Sequence, residues 1–212
     1  MKGLLQKDLY MAMKYCRVNI ILILVFAAGS VIGENMFMLF YPLVMAGVVP
    51  ISLISYDEKS KWNVYAGVFP YTQRELVSVK YIIAIMFLAF GSIVIAAAQM
   101  LNMILSGNID WKSYGILLAV LPTVGLLSPC ILLPTVFKLG VEKGRTIYYG
   151  VIIIVAALLG ILGFMGDNTG LGFAGNISSA GLWPIPLMLL VDIALLALSW
   201  ETSVRFYGSK EE

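Results

Sequence analysis

The sequence predicts an all-α membrane protein with six spanning helices, built as one domain over residues 1–212. Three observations carry this. Apolar residues make up 60% of the chain and charged residues only 12%, against about 25% charged in an ordinary soluble domain. The mean hydropathy is +0.93, and a water-soluble domain of this length has too little interior to hide so much apolar surface. The apolar residues also gather into runs of spanning length, with nearly all basic residues on one side of them. The same numbers exclude an ordinary soluble enzyme, a disordered chain and a coiled coil.

The first element is a helix over residues 1–17. Leu5, Leu9, Ala12 and Cys16 fall on one stripe with Leu4 and Met13 beside it, while Lys7, Tyr10, Lys14 and Arg17 form the opposite stripe. That pattern suits an amphipathic helix lying in the membrane interface, its lysines near anionic headgroups. A charged arm with incidental periodicity is the plainer alternative. Spans follow at 18–36, 37–55, 77–106, 113–137, 147–166 and 183–200, each close to the roughly 20 apolar residues a crossing needs. Gly33-Glu34-Asn35 reads as a tight outer hairpin between the first two, or as the break in one long re-entrant element. Ala27-Ala28-Gly29 has the look of a signal cleavage site, but the apolar run continues through Val31 and Ile32, so a retained span is expected.

Thirteen of the 14 Lys and Arg residues fall on one side of this arrangement, with Lys112 alone on the other. The positive-inside rule then places both termini in the cytosol. Pro42 and Pro50 lie in the second span, and Pro122, Pro129 and Pro134 in the fourth, which is expected to bend most. The outer loop, residues 167–182, is rich in Gly, Asn and Ser and carries a glycosylation-like triplet, Asn176-Ile177-Ser178.

Catalytic chemistry finds no footing. There is no His, and Cys16 and Cys130 lack metal or redox spacing, reading as buried or interfacial thiols. Residues 140–146 (GVEKGRT) have the wrong spacing for a phosphate-binding loop and read as a short cytosolic turn. No cofactor, metal or nucleic-acid partner is expected. Asp192 is the one ionisable residue deep in a span, and a carboxylate there must face protein or water. Its candidate partners are Ser92, Gln99, Thr123 and Ser128. With Pro122, Pro129 and Gln99 it outlines a candidate translocation path, the alternative being a hydrogen bond that fixes helix packing.

The densest signal is the cytosolic loop at residues 56–76. It mixes charges of both signs with Trp62, Tyr65, Phe69 and Tyr71, a combination suited to docking. Trp62, Tyr65 and Phe69 have helical spacing, so a short helix could present them together. Thr72 followed by Glu75 matches a capping box, which predicts a helix start there. A berth for these aromatics in the membrane interface is the alternative.

At this loop the chain resembles the permease subunits of type-2 ABC exporters, and is most similar to the small six-span bacterial group that exports phenol-soluble modulins and related peptides. The matching pattern is Asp57-Glu58, then Trp62 and Tyr65, then Phe69-Pro70, Arg74-Glu75 and Lys80-Tyr81. The start, Met1-Lys2-Gly3-Leu4-Leu5 with Lys7-Asp8-Leu9, is similar to that family's interfacial helix. The resemblance implies a coupling helix near residues 59–66 seated in a groove of a separate ATPase. Asp57, Glu58, Lys59, Lys61, Trp62, Asn63, Tyr65, Phe69, Arg74 and Glu75 would form the ATPase-docking set. It implies two ATPase subunits holding ATP and Mg, and a second permease copy, identical or a close paralogue, in a bacterial plasma membrane. An apolar path rich in Met and Phe suits an amphipathic peptide or lipid-like cargo. The competing classes are a secondary transporter or small channel, for which inverted repeats are wanting, and a membrane lipid-modifying enzyme, which would need clustered His, Asp or Glu.

Overall fold

The computed structural model describes residues 2–32, 36–62, 65, 68, 71–107, 111–150, 153 and 184–208. The elements among them are all helices: α1 (Lys2–Tyr15), α2 (Arg17–Ile32), α3 (Met36–Lys59), α4 (Gln73–Ser106), α5 (Trp111–Leu139), α6 (residues 141–150) and α7 (Pro184–Gly208). Among the described residues, three stretches are long and apolar enough to cross a membrane alone, Met38–Lys59, Gln73–Ser106 and Tyr114–Leu139. The pair α1 and α2, bent by 66°, makes a fourth if it counts as one span. The Gly33-Glu34-Asn35 hairpin, most of the span at 147–166 and the outer loop 167–182 with its triplet lie outside the described residues.

Local sequence explains where the helices begin and end. Thr72, in an extended conformation, caps α4: its Oγ1 accepts from Glu75 N, and Glu75 Oε2 accepts from Thr72 N. This is the expected capping box, and it starts the helix four residues before the apolar run at Val77. α3 runs past its expected end at Ser55 to Lys59, so residues 56–59 are its last turn rather than loop. The expected turn at 140–146 shrinks to one residue. Gly140, at φ +85°, donates its N–H to Val136 O at 2.8 Å, and the chain is helical again from Val141. Only glycine takes that backbone without penalty.

α5 packs along α7 and α3, and α3 packs in turn on α4 and α2. One core joins Leu4 and Ala12 of α1 and Ile23 of α2 to Val49 and Leu53 of α3 and Ile83 of α4. A second joins Ile51 of α3 and Tyr81 of α4 to Leu132, Leu133 and Val136 of α5 and Tyr148 of α6. In lipid such contacts gain little from leaving water, so close approach and interhelical hydrogen bonds matter more. Gly47 is one such approach: a Cβ there would lie 2.8 Å from Ser128 Cβ and 3.0 Å from Pro129 Cδ.

Polar side chains supply the rest. Pro134 has no N–H to give the carbonyl four residues back. That carbonyl, on Cys130, accepts instead from Ser199 Oγ of α7 at 2.8 Å. Ser199 and Ser203 both meet the Tyr81 hydroxyl, at 2.6 and 2.8 Å, so α4, α5 and α7 share one polar node. The end of α2 leaves carbonyls unpaired within its own helix. Asn102 Nδ2 and Gln99 Nε2 of α4 donate to them, at 3.0 and 3.2 Å (Val31 and Ser30) and 3.4 Å (Ser30).

Candidate functional site

The charged end of the bundle, where α1, the end of α3 and the start of α4 meet, holds the candidate site. α1 buries Leu4, Asp8 and Ala12, and Cys16 just beyond its end is buried with them; Leu4 and Asp8 are each one residue away from the expected Leu5 and Leu9. Leu9 and Met13 instead line an apolar groove with Ile20, Met86, Phe87 and Phe90. The shift has an electrostatic cause. Asp8 is 1% exposed and Lys80 of α4 is 8% exposed, and Lys80 Nζ lies 2.5 Å from Asp8 Oδ2. Lys80 also reaches Asp57 Oδ2 at 2.6 Å. Asp57 is itself 5% exposed, and its Oδ1 accepts from Lys7 at 2.8 Å. Lys7 lies 3.1 Å from Asp8 Oδ1, an approach whose angle makes no hydrogen bond, so that oxygen is left unpaired. Two cations and two carboxylates thus close a neutral ring linking α1, α3 and α4.

Lys7 has a further partner. Its Nζ sits 4.0 Å from the centre of the Trp62 ring, a cation–π contact. Trp62 is half-buried and packs on the first core. The ten residues expected to form one docking surface therefore divide. Asp57 is not a surface residue but a buried member of the ring, Trp62 is anchored beneath Lys7, and Glu75 is engaged in the cap of α4. Glu58, Lys59, Lys61 and Arg74 are exposed. Tyr65 is 61% exposed, and its neighbour Val68 is 84% exposed. Trp62 and Tyr65 are both helical, yet they do not share one exposed face. Asn63 and Phe69 lie outside the described residues.

The ring escaped sequence reading, although one signal pointed to it. Asp8 breaks an otherwise apolar i, i+4 stripe, and a buried charge needs a partner. That partner lies 72 residues away, beyond the reach of local periodicity.

The candidate path residues do not converge. Asp192 is buried, and its Oδ2 accepts from Thr123 Oγ1 of α5 at 2.9 Å, one of its four expected partners. Pro122 precedes that threonine. Gln99 reaches α2 instead, capping its last turn, and Pro129 packs by Gly47. Among the described residues, no group of three His, Cys, Asp or Glu could hold a metal ion.

An all-helical chain with several membrane-length helices and a charged end tied by buried ion pairs has the form of a multi-pass membrane subunit. The chain matches the family described as ABC-2 family transporter protein over residues 3–208, and it belongs to that family. It is thus a membrane permease component of an ABC transporter, a kind of subunit that works with an ABC ATPase and is typically not itself catalytic. No curated protein and no solved structure matches it.

Proposed function

We propose that the chain is the path-forming subunit of an ATP-driven exporter, and that its ATPase docks on the exposed part of the loop between α3 and α4. One observation carries this reading. Tyr65 and Val68 are strongly exposed, as are Glu58, Lys59, Lys61 and Arg74, while Asp57 and Trp62 before them and Lys80 after them are held by buried contacts. Exposed apolar side chains ringed by charge, on a rigid base, suit a protein interface. Two permease copies would enclose the path and two ATPases would drive it with ATP and Mg. Each permease would cross a bacterial plasma membrane six times with both termini in the cytosol. An amphipathic peptide or lipid-like cargo fits a chain so poor in charge, and Asp192 with Thr123 would offer it a polar contact.

Co-purification tests the docking. Affinity-tagged permease should bring down a nucleotide-binding subunit, and Tyr65→Ala should weaken that association at least tenfold with the permease's own unfolding midpoint unchanged. Retention of the ATPase at wild-type strength by Tyr65→Ala combined with Val68→Ser would overturn the assignment of this surface.

A further inference from the structure

A second polar cavity lies beside the ring but separate from it. The cleft, of about 220 Å³, sits at the bend between α1 and α2 and faces α3 and α6. Asn19, Ser52, Ser55, Tyr56, Lys59 and Arg145 supply its polar lining, and no carboxylate takes part. The rings of Tyr15 and Tyr56, stacked at 4.5 Å, form one edge. Nearby, every charge of the ring is matched by an opposite one. Here two cations, three hydroxyls and an amide converge, and among the described residues none of the side chains of Asn19, Ser52, Ser55, Lys59 and Arg145 makes a hydrogen bond or ion pair. Ser55 and Ser52 lie about one and two turns inside the end of a membrane-length helix. Asn19, Ser52, Ser55 and Arg145 are half-buried and Lys59 is exposed, so these groups are open to a ligand, and an anion with several acceptor oxygens would satisfy them together.

We propose that this cleft binds a phosphate-ester anion, supplied by the headgroup of an anionic phospholipid. Basic pockets between helices at a cytosolic surface recognise such headgroups, and Lys and Arg are the usual phosphate ligands. The apolar part of the lipid also has somewhere to lie. On α2, the helix that carries Asn19, Val18, Ile21 and Val25 form an exposed stripe. The proposal takes from the preceding reading only that this end of the bundle meets a membrane surface. The two sites share only Lys59, and the test contains no ATPase, so either can fail alone.

The test uses the full-length protein in a neutral detergent. Its thermal unfolding is followed against dioctanoyl phosphatidylglycerol, dioctanoyl phosphatidylcholine and inorganic phosphate, each raising the midpoint only if it binds the folded form. Phosphatidylglycerol should raise the midpoint, phosphatidylcholine should not, and added salt should weaken the effect. Lys59→Gln with Arg145→Gln should weaken phosphatidylglycerol binding about 30-fold. Lys59→Arg with Arg145→Lys should keep it, as should Lys143→Gln, which removes an exposed charge outside the cleft. A full shift from inorganic phosphate alone would uphold the anion site and assign it to free phosphate. Equal shifts from both lipids, a salt-independent shift, or undiminished binding by the double glutamine variant would overturn the proposal. The first two readouts need only the wild-type chain, so the proposal stays testable if that variant does not fold.

Discussion

Lys80→Met tests the buried ring most directly. In the native protein Lys80 Nζ lies 2.5 Å from Asp8 and 2.6 Å from Asp57. Without it, Asp57 keeps Lys7 at 2.8 Å, but Asp8 keeps only the 3.1 Å approach of Lys7 to an oxygen that already lacks a hydrogen bond. Asp8 is 1% exposed and cannot turn to water. Removing one partner of a buried pair costs about 3–5 kcal/mol, most of it the stranded charge. Lys7, at 26% exposure, lets some solvent reach the ring, which favours the lower end. Asp8→Leu alone leaves Lys80 its bond to Asp57 and should cost about 1–3 kcal/mol. The pair Lys80→Met and Asp8→Leu leaves Lys7–Asp57 as a complete ion pair and strands nothing. It should be at least about 2 kcal/mol more stable than the sum of the single losses predicts. Equilibrium unfolding by SDS in mixed micelles, with matching refolding curves, reads these differences. A Lys80→Met protein as stable as wild type, or a double variant whose losses simply add, would refute the reasoning.

Three further perturbations follow from the same structure. Lys61 has φ +54° just beyond the end of α3, where a side chain costs about 1–2 kcal/mol, so Lys61→Gly should stabilise the protein by about 1 kcal/mol in the same titration. Gly47→Ala should cost about 1–3 kcal/mol, because its Cβ would meet Ser128 and Pro129 at 2.8–3.0 Å; Gly91→Ala, whose nearest contacts are 3.6 and 3.7 Å, should be tolerated. Asp192→Asn keeps an acceptor for Thr123 at the same place, so assembly with the ATPase should survive while ATP-driven export by the reconstituted complex changes; export at the wild-type rate would leave Asp192 a packing residue only.

What the sequence could and could not convey follows from range. The cap at Thr72 and Glu75 and the helical character of α1 depend on residues three or four apart, and they were legible. The need of Asp192 for a polar partner was legible too, because a carboxylate in the middle of an apolar run must find one, but the choice of Thr123 among four candidates was not. The ring was not legible. Its bonds join residues 23, 50 and 72 positions apart, and Lys80 reads from sequence as a membrane-edge charge. Asp57 falls in the docking set because the resemblance to the type-2 exporter permeases implies it. The helix goes on to Lys59, and this extra turn rotates Asp57 inward. Gln99 falls on the expected path as a candidate partner of Asp192; the carbonyls at the end of α2 take it instead. At Gly140 the presence of a turn was readable, but its length depends on whether residue 141 can resume a helix at once, which Val141 does against the second core.

The ring also decides how a push on the loop would travel. Trp62 lies three residues beyond the end of α3, and its ring is held by Lys7 of α1. Lys7 is held by Asp57 in the last turn of α3, and Asp57 by Lys80, two turns into α4. Both flanks of the loop are therefore fastened to the same short helix. To shift the segment bearing Tyr65 and Val68 without α1, Lys7 must give up a cation–π contact and a carboxylate, and Asp57 must lose a buried partner. Breaking a buried ion pair costs several kcal/mol, more than a single cation–π contact, worth about 0.5–2 kcal/mol. The Lys7–Trp62 contact is then weaker than the carboxylate bridges, which hold, so α1, α3 and α4 move as one body. Lys7→Met and Lys80→Met should accordingly differ in kind. The first removes one tether of Trp62, which still packs on the first core, and leaves the α3–α4 corner intact, since Lys80 still joins Asp8 and Asp57. The second opens that corner. Measured in the reconstituted complex, Lys7→Met should retain tight ATPase binding while losing coupling between ATP hydrolysis and export. Lys80→Met should lose stability first, and a Lys7→Met complex that stays fully coupled would show that force reaches the helices by another route.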